Sequence, residues 1–167
     1  MTEKHTIYLA LGTNLGDRHK NLRQALQVLP PQAEITAISR LYETAPAYVL
    51  DQPNFLNMAV KGQTELSPDD LLTYLKKLED QIGRKKVIRF GPRKIDLDII
   101  FYDDVTLELP HLQIPHPRMT ERAFVLRPLL DIAAEVVHPV LNRTVAELAT
   151  ALPDDDGILA VSEWGED

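Results

Sequence analysis

Three observations predict an α+β fold in the order β-α-β-β-α-β, with further β and helical pieces towards the C-terminus. Apolar residues alternate with period 2 in four separated stretches, two further stretches carry them at helical spacing, and Gly, Pro and Asn clusters mark the boundaries. That order is the ferredoxin-like arrangement.

Each element has its own justification. Thr6 to Leu11 alternates Ile7, Leu9 and Leu11 with Thr6, Tyr8 and Ala10, which makes a strand with one apolar face. Gly12-Thr13-Asn14-Leu15-Gly16 turns the chain. Asp17 then caps a helix whose buried face is Leu22, Ala25, Leu26 and Leu29, and Pro30-Pro31 stops it. Glu34 to Glu43, rich in Ile and Thr, is the second strand; Thr44 to Asn54, with two prolines, is a loop. Phe55 to Val60 is the third strand, with Leu56, Met58 and Val60 facing one way and Phe55, Asn57 and Ala59 the other. Ser67 caps the second helix, Pro68 fills its first position, Asp69 and Asp70 suit its positive end, and Gly83 ends it. Leu71, Leu72, Leu75, Leu78 and Ile82 form its apolar stripe. Lys94 to Tyr102 is the fourth strand. Beyond Asp104 come short β segments (Val105–Leu109 and Leu112–Ile114), a helix at Glu121–Ala133 disturbed by Pro128, and a last helix from Thr144, where Thr144 and Glu147 fit a capping box.

A length of 167 residues predicts one domain, 1–167, able to bury about 70% of its unfolded surface without staples. The absence of cysteine excludes a disulfide scaffold, a thiolate metal site and a Cys nucleophile. No apolar run approaches the ~18 residues of a membrane span. Glu3, Lys4 and His5 make a poor secretory signal, so the expectation is a cytoplasmic protein without a membrane partner. A net charge of −7 disfavours nucleic acid. The charge is uneven, however. Arg84 to Lys94 holds six cations and no acid, leaving −13 on the rest. A compact cationic spot on an acidic chain suits a small anion.

Arg93-Lys94-Ile95-Asp96-Leu97-Asp98-Ile99-Ile100 is the sharpest local feature. Period 2 places Asp96 and Asp98 on one strand face, roughly 7 Å apart, while Ile95, Leu97 and Ile99 face the core. A solvated strand face explains a bare Asp-x-Asp about as well as a site does. The neighbouring cations favour a site, because Mg²⁺ takes one or two carboxylates plus substrate phosphates. Those cations together with Mg²⁺ lead to the expectation that both carboxyls are ionised at neutral pH. Gly91-Pro92 fixes the backbone before Arg93, and Arg suits forked contact with phosphate. Phe55 beside Asn57 can stack on and hydrogen-bond a flat heterocycle. The Gly12–Gly16 turn has no Gly-Lys-Ser/Thr, and there is neither a Gly-x-Ser-x-Gly elbow nor a zinc spacing of histidines.

Arg89-Phe90-Gly91-Pro92-Arg93-Lys94-Ile95-Asp96-Leu97-Asp98-Ile99-Ile100 resembles the defining motif of the 6-hydroxymethyl-7,8-dihydropterin pyrophosphokinase family of folate biosynthesis. Ala10-Leu11-Gly12-Thr13-Asn14, Thr44-Ala45-Pro46, residues 51–57, Pro115-His116 and Arg122-Ala123-Phe124 match the family in order and spacing. Thr13 stands where the family often has Ser. The resemblance implies that the pterin hydroxymethyl oxygen attacks the β-phosphorus of ATP and AMP leaves, with two Mg²⁺ ions between the aspartates and the triphosphate. It implies Asp96 and Asp98 as metal ligands, and Arg84 and Arg93 beside them in catalysis. Phe55 and Phe124 would sandwich the pterin, with Asn57 and the Thr44 backbone bonding its edge. His116, Arg122, Arg93 and Arg84 would hold phosphates, while Ile99, Leu112 and Gln113 would approach the adenosine. Glu79 corresponds to a nucleotide-site residue, although an ordinary helix-surface Glu fits that position too. The partners implied are ATP and the pterin, and the expected state is a monomer. Two rival readings stay open: another metal enzyme with paired aspartates, such as a nucleotidyltransferase or phosphodiesterase, and a ferredoxin-like module binding RNA or a small effector. Against the RNA module, no aromatic RNP1 strand is visible.

Overall fold

The computed structural model describes residues 3–83 and 91–165. The chain runs through β1 (His5–Thr13), α1 (Arg18–Val28), β2 (Ala33–Ile38), β3 (Leu41–Thr44), β4 (Phe55–Thr64), α2 (Pro68–Gly83), β5 (Asp96–Tyr102), β6 (Leu107–Leu109), β7 (Leu112–Ile114), a 3-10 turn (Met119–Glu121), α3 (Ala123–Ala133), α4 (Val145–Ala149) and β8 (Ile158–Ser162). An antiparallel sheet has the order β5-β1-β4-β3-β8, with β2 also paired to β4; β6 and β7 form a separate hairpin.

The helix signals act as expected. Asp17 accepts the Lys20 N–H at 3.1 Å, and the Ser67 hydroxyl accepts the Asp70 N–H at 3.2 Å. Thr144 and Glu147 bond reciprocally, at 3.0 and 3.1 Å, as a capping box.

Several boundaries differ. The expected single strand Glu34–Glu43 is two. The Ser39 hydroxyl accepts the Ala59 N–H at 2.8 Å and donates to the Arg40 carbonyl at 2.7 Å. A side chain thus takes over one rung of the ladder, and the chain re-enters the same edge of β4 as β3. β1 and β4 extend to Thr13 and Thr64 because each finds a long antiparallel partner in the other. β5 begins at Asp96 rather than Lys94, and α3 begins at Ala123 after the 3-10 turn. Pro128 sits inside α3 without ending it; its missing N–H costs one bond, to the Phe124 carbonyl. β8, which periodicity did not reveal, pairs with β3.

The sheet is buried on both faces. Ile7, Leu9, Leu11, Leu56, Met58, Val60, Ile95, Leu97 and Ile99 pack against Leu22, Ala25 and Leu29 of α1 and Leu71, Leu75, Leu78 and Ile82 of α2. On the opposite face Tyr8, Ala59, Ile100 and Phe101 pack against α3 and α4. A bulge opposite Tyr8/Leu9 inserts Ile100, so Ile100 and Phe101 both reach this second core. The bulge sits two residues past Asp98, and the aspartates therefore occupy the regular part of β5.

The turn between α3 and α4 depends on a buried imidazole. His138 Nδ1 accepts the N–H groups of Val140 and Leu141 at 3.2 and 3.1 Å, and the ring lies edge-on to Phe101 at 6.0 Å. Burial pushes its pKa down. The folded state therefore takes up this proton later than the unfolded state, and stability falls as pH drops below the ordinary histidine value near 6.5. His138→Asn offers Oδ1 in place of Nδ1. Thermal melts at pH 7.5 and 5.5 should show a smaller loss on acidification in the variant than in the wild type. Identical losses would show that His138 does not titrate on folding.

Candidate active site

Three neighbouring strands make the floor of a cavity of about 290 Å³. Gly12 of β1 lies opposite Asp96 of β5 on one side and Asn57 of β4 on the other; in the next row Ala10 lies between Asp98 and Ala59. The central strand must be small here. A Cβ on Gly12 would stand 2.6 Å from Asn57 Oδ1, so glycine lets the amide lie across the floor. Asn57 Nδ2 donates to Thr44 Oγ1 at 2.7 Å, which orients the amide.

Asn14 fixes the rim. Its N–H donates to the Arg93 carbonyl at 2.9 Å and its Oδ1 accepts the Arg93 N–H at 2.7 Å. Its Nδ2 donates to Gln52 Oε1 and the Pro53 carbonyl, both at 2.9 Å. Arg93 Nε then lies 3.6 Å from Asp96 Oδ1.

The opposite wall comes from the segment after β7. The His116 N–H donates to the Ile100 carbonyl at 3.1 Å, and His116 Nδ1 accepts the Arg118 N–H at 3.2 Å. That bond leaves the ring proton on Nε2. Arg122 Nε donates to the Tyr48 hydroxyl at 3.0 Å, and its guanidinium lies 5.4 Å from both the Tyr48 and the Phe124 ring centres. A second cavity of about 380 Å³ is lined by Lys76, Ile99, Leu112 and Gln113 among others, and Asp98 and His116 border both cavities.

Burial, then Asp98, then Glu79 push the Asp96 carboxyl up to about 7, against the pull of Arg93 and Lys76. In the absence of metal, desolvation and acid neighbours thus outweigh the pull of Arg93 and Lys76 on Asp96. Burial also raises Glu79, although the Leu97 N–H and Lys76 oppose it. Burial, joined by Arg122 and Arg118, lowers His116 against Asp98, so the imidazole is neutral at pH 7. Two hard oxygen donors bordering one cavity suit a divalent cation. Among the described residues no third His, Asp, Glu or Cys joins them as a closed cage. This is the donor set of Mg²⁺ sites that take the remaining oxygens from a substrate.

Thr44, Phe55, Asn57, Arg93, Asp96, Asp98, His116, Arg122 and Phe124 all border the first cavity; Ile99, Leu112 and Gln113 border the second. Glu79 borders neither. Its Oε2 accepts the Leu97 N–H at 2.8 Å on the outer edge of β5, and Oε1 lies 3.3 Å from Lys76 Nζ. Arg84, with the cations Lys85, Lys86 and Arg89, lies outside the described residues. Tyr48 is a site-forming residue that no sequence signal marks; Asn14 and Gln52 fall in segments that match the family, but only the fold brings their bonding partners near.

Residues 8–134 match the profile of the family described as 7,8-dihydro-6-hydroxymethylpterin-pyrophosphokinase (HPPK). The chain is similar to the 2-amino-4-hydroxy-6-hydroxymethyldihydropteridine pyrophosphokinase of Bacillus subtilis, with 46% identity over 153 residues covering 90% of this chain and 87% of that protein. It is 43% identical over 152 residues to folic acid synthesis protein FOL1 of Dictyostelium discoideum, covering 91% of this chain and 23% of that one. It is 48% identical over 144 residues to a mitochondrial folate synthesis bifunctional protein of Arabidopsis thaliana, covering 86% and 26%. The chain thus spans about a quarter of the length of these last two relatives. A crystal structure of wild-type Plasmodium falciparum HPPK-DHPS with pteroate shares the fold, with a TM-score of 0.74 at 21% identity over 90% of this chain and 42% of that one.

The raised Asp96 pKa has a consequence for the free protein. Ionised Asp96 costs stability above pH 7; the cost fades as pH falls and is gone near the ordinary carboxyl value of about 4. Its side chain is 41% exposed, so solvent damps the effect. Asp96→Asn should melt higher than the wild type at pH 8, with the gap closing by pH 4. A gap independent of pH would show that the carboxyl is not perturbed.

Proposed function

This chain belongs to the 7,8-dihydro-6-hydroxymethylpterin-pyrophosphokinase family, and we propose that it transfers the pyrophosphoryl group of MgATP to 6-hydroxymethyl-7,8-dihydropterin in folate biosynthesis. The observation that carries this reading is the meeting of two unlike cavities at Asp98 and His116. One offers aromatic rings and an oriented amide to a flat heterocycle; the other offers apolar walls and Lys76 to a nucleotide. An acceptor oxygen and a polyphosphate brought into the two cavities meet beside the aspartates.

In the proposed reaction the hydroxymethyl oxygen attacks the β-phosphorus. The bond from the β-phosphorus to the oxygen bridging it to the α-phosphorus breaks, AMP carries that oxygen away, and the hydroxyl proton passes to solvent. Phe55 and Phe124 hold the ring, Asn57 and the Thr44 backbone bond its edge, and the resulting orientation is the main service of the first cavity. Arg93 and Arg122 bear the phosphate charge, and neutral His116 donates a hydrogen bond from Nε2–H to a phosphate oxygen. Ile99, Leu112 and Gln113 lie against the adenosine. Asp96 and Asp98 would hold Mg²⁺, two ions in this proposal, which supplies charge neutralisation across the triphosphate. Arg84 is assigned to the phosphates on the family resemblance alone. Glu79 acts through Leu97, holding the strand that carries both aspartates.

The proposal extends to a single domain of ferredoxin-like topology. With β2 and β3 counted as one interrupted strand, the core order is fourth-first-third-second, which supports that assignment. It also extends to a cytoplasmic monomer; no helix of the described residues is long and apolar enough to cross a membrane.

Incubation with MgATP and the hydroxymethyl pterin should yield AMP in step with pterin consumption. ADP as the product, or AMP without pterin, would overturn the reading. Phe124→Ala should weaken pterin binding several-fold and leave nucleotide binding nearly unchanged, because stacking adds ~0.5–1.5 kcal/mol beyond area burial. Unchanged pterin affinity by calorimetry would remove Phe124 from the slot.

A further inference from the structure

We propose that Asp156 and Arg127 are positioning residues that set the separation of the two walls of the pterin slot, an inference that rests on the reading above. One wall is α3, whose first turn carries Phe124; Arg127, three residues on, projects from the same side of the helix. The other wall is the end of β3, with Thr44 and Ala45. A third cavity of about 300 Å³ lies behind them, bordered by Thr44, Ala45, Phe124, Asp156 and Gly157 among others. Open space there means that side-chain packing does not fix the wall separation at this end.

The Asp156 carboxylate spans the gap. Arg127 Nε donates to its Oδ2 at 2.9 Å, with the side chains 33% and 15% exposed. Its Oδ1 accepts the Ile158 N–H at 3.1 Å, which shapes the turn at Gly157, where φ is +81°. The Gly157 carbonyl accepts the Ala45 N–H at 2.9 Å, and Ile158 pairs with Thr44. Thr44 in turn holds Asn57. A single charged group therefore connects the helix of the stacking ring to the strand of the bonding edge. Another tie between α3 and the segment of β3 lies farther along: Asp131 Oδ1 accepts from Arg40 at 3.0 Å, and its Oδ2 from the Tyr42 hydroxyl at 2.8 Å. That pair fixes one end of the two walls, and Asp156 fixes the slot end.

The test uses the full chain with Asp156→Asn, which keeps the acceptor for Ile158 but removes the charge, and Arg127→Lys, which keeps the charge. Amide exchange at Ala45 is followed together with steady-state kinetics for pterin and ATP. In Asp156→Asn, Ala45 should exchange faster and the pterin KM should rise about tenfold, the loss expected of a charge-assisted bond. The kcat and the KM for ATP should stay near wild type, and Arg127→Lys should fall between. Unaltered Ala45 exchange and pterin KM beside an active wild type would overturn the inference and leave the function standing. A rise in both KM values with a collapsed melting temperature would overturn it as well, by showing a purely structural pair. A wild type that forms no AMP would overturn the functional reading, and Ala45 exchange alone would then decide whether the strap exists.

Discussion

The site hangs on one buried amide. Asn14 is 2% exposed, and a polar side chain so placed is tolerated only when its donors and acceptor are used. They are used on two different segments: the Arg93 backbone that leads into β5, and Gln52 and Pro53 at the end of the loop that follows Thr44. Both segments are thereby referenced to the end of β1. Antiparallel register does the rest, since it puts Asp96, Gly12 and Asn57 in one row without any further side-chain contact between β5 and β4. Losing the amide would release the rim while leaving the floor intact.

The floor itself explains why the chemistry is split as it is. Asp96 stands at one end of the row and the Asn57 amide at the other, with Gly12 between them. That spacing sets the carboxylates apart from the aromatic end of the cavity, and the Asp96 carboxyl is raised by burial first, then by Asp98 and Glu79. His116 closes the junction as a neutral donor because it is buried beside two arginines.

Much of this was legible in the chain. Period 2 was enough to put Asp96 and Asp98 opposite Ile95, Leu97 and Ile99, and to put Phe55 with Asn57, because backbone alternation is local. Ser67, Asp17 and the Thr144–Glu147 box announced their helices for the same reason. The second core was not legible: Tyr8 and Ala10 look like the wet side of a half-buried strand until α3 folds over that side. The break at Ser39 depends on Ala59, twenty residues away, and the Asp96 pKa depends on a glutamate from α2. Asn14 reads as a turn residue, and its four bonds exist only once β5 and the loop before β4 have arrived.

β8 closes the sheet at the side of β3 and, among the described residues, forms its border there. Leu159 and Val161 are 56% and 44% exposed along it, the composition of a strand that invites another copy to add on. The flanks answer this. Asp154 and Asp155 precede the strand and Glu163 follows it. Two such strands aligned head to tail would bring the acids before one against the acid after the other, so like charges would oppose the pairing that the apolar residues favour. The border at β5 is guarded differently, with the outward Leu97 N–H already taken by Glu79. Resistance to edge-to-edge aggregation is therefore shared between electrostatic repulsion at one margin and a satisfied donor at the other, and it should weaken first at β8 when salt or acid neutralises the flanking carboxylates.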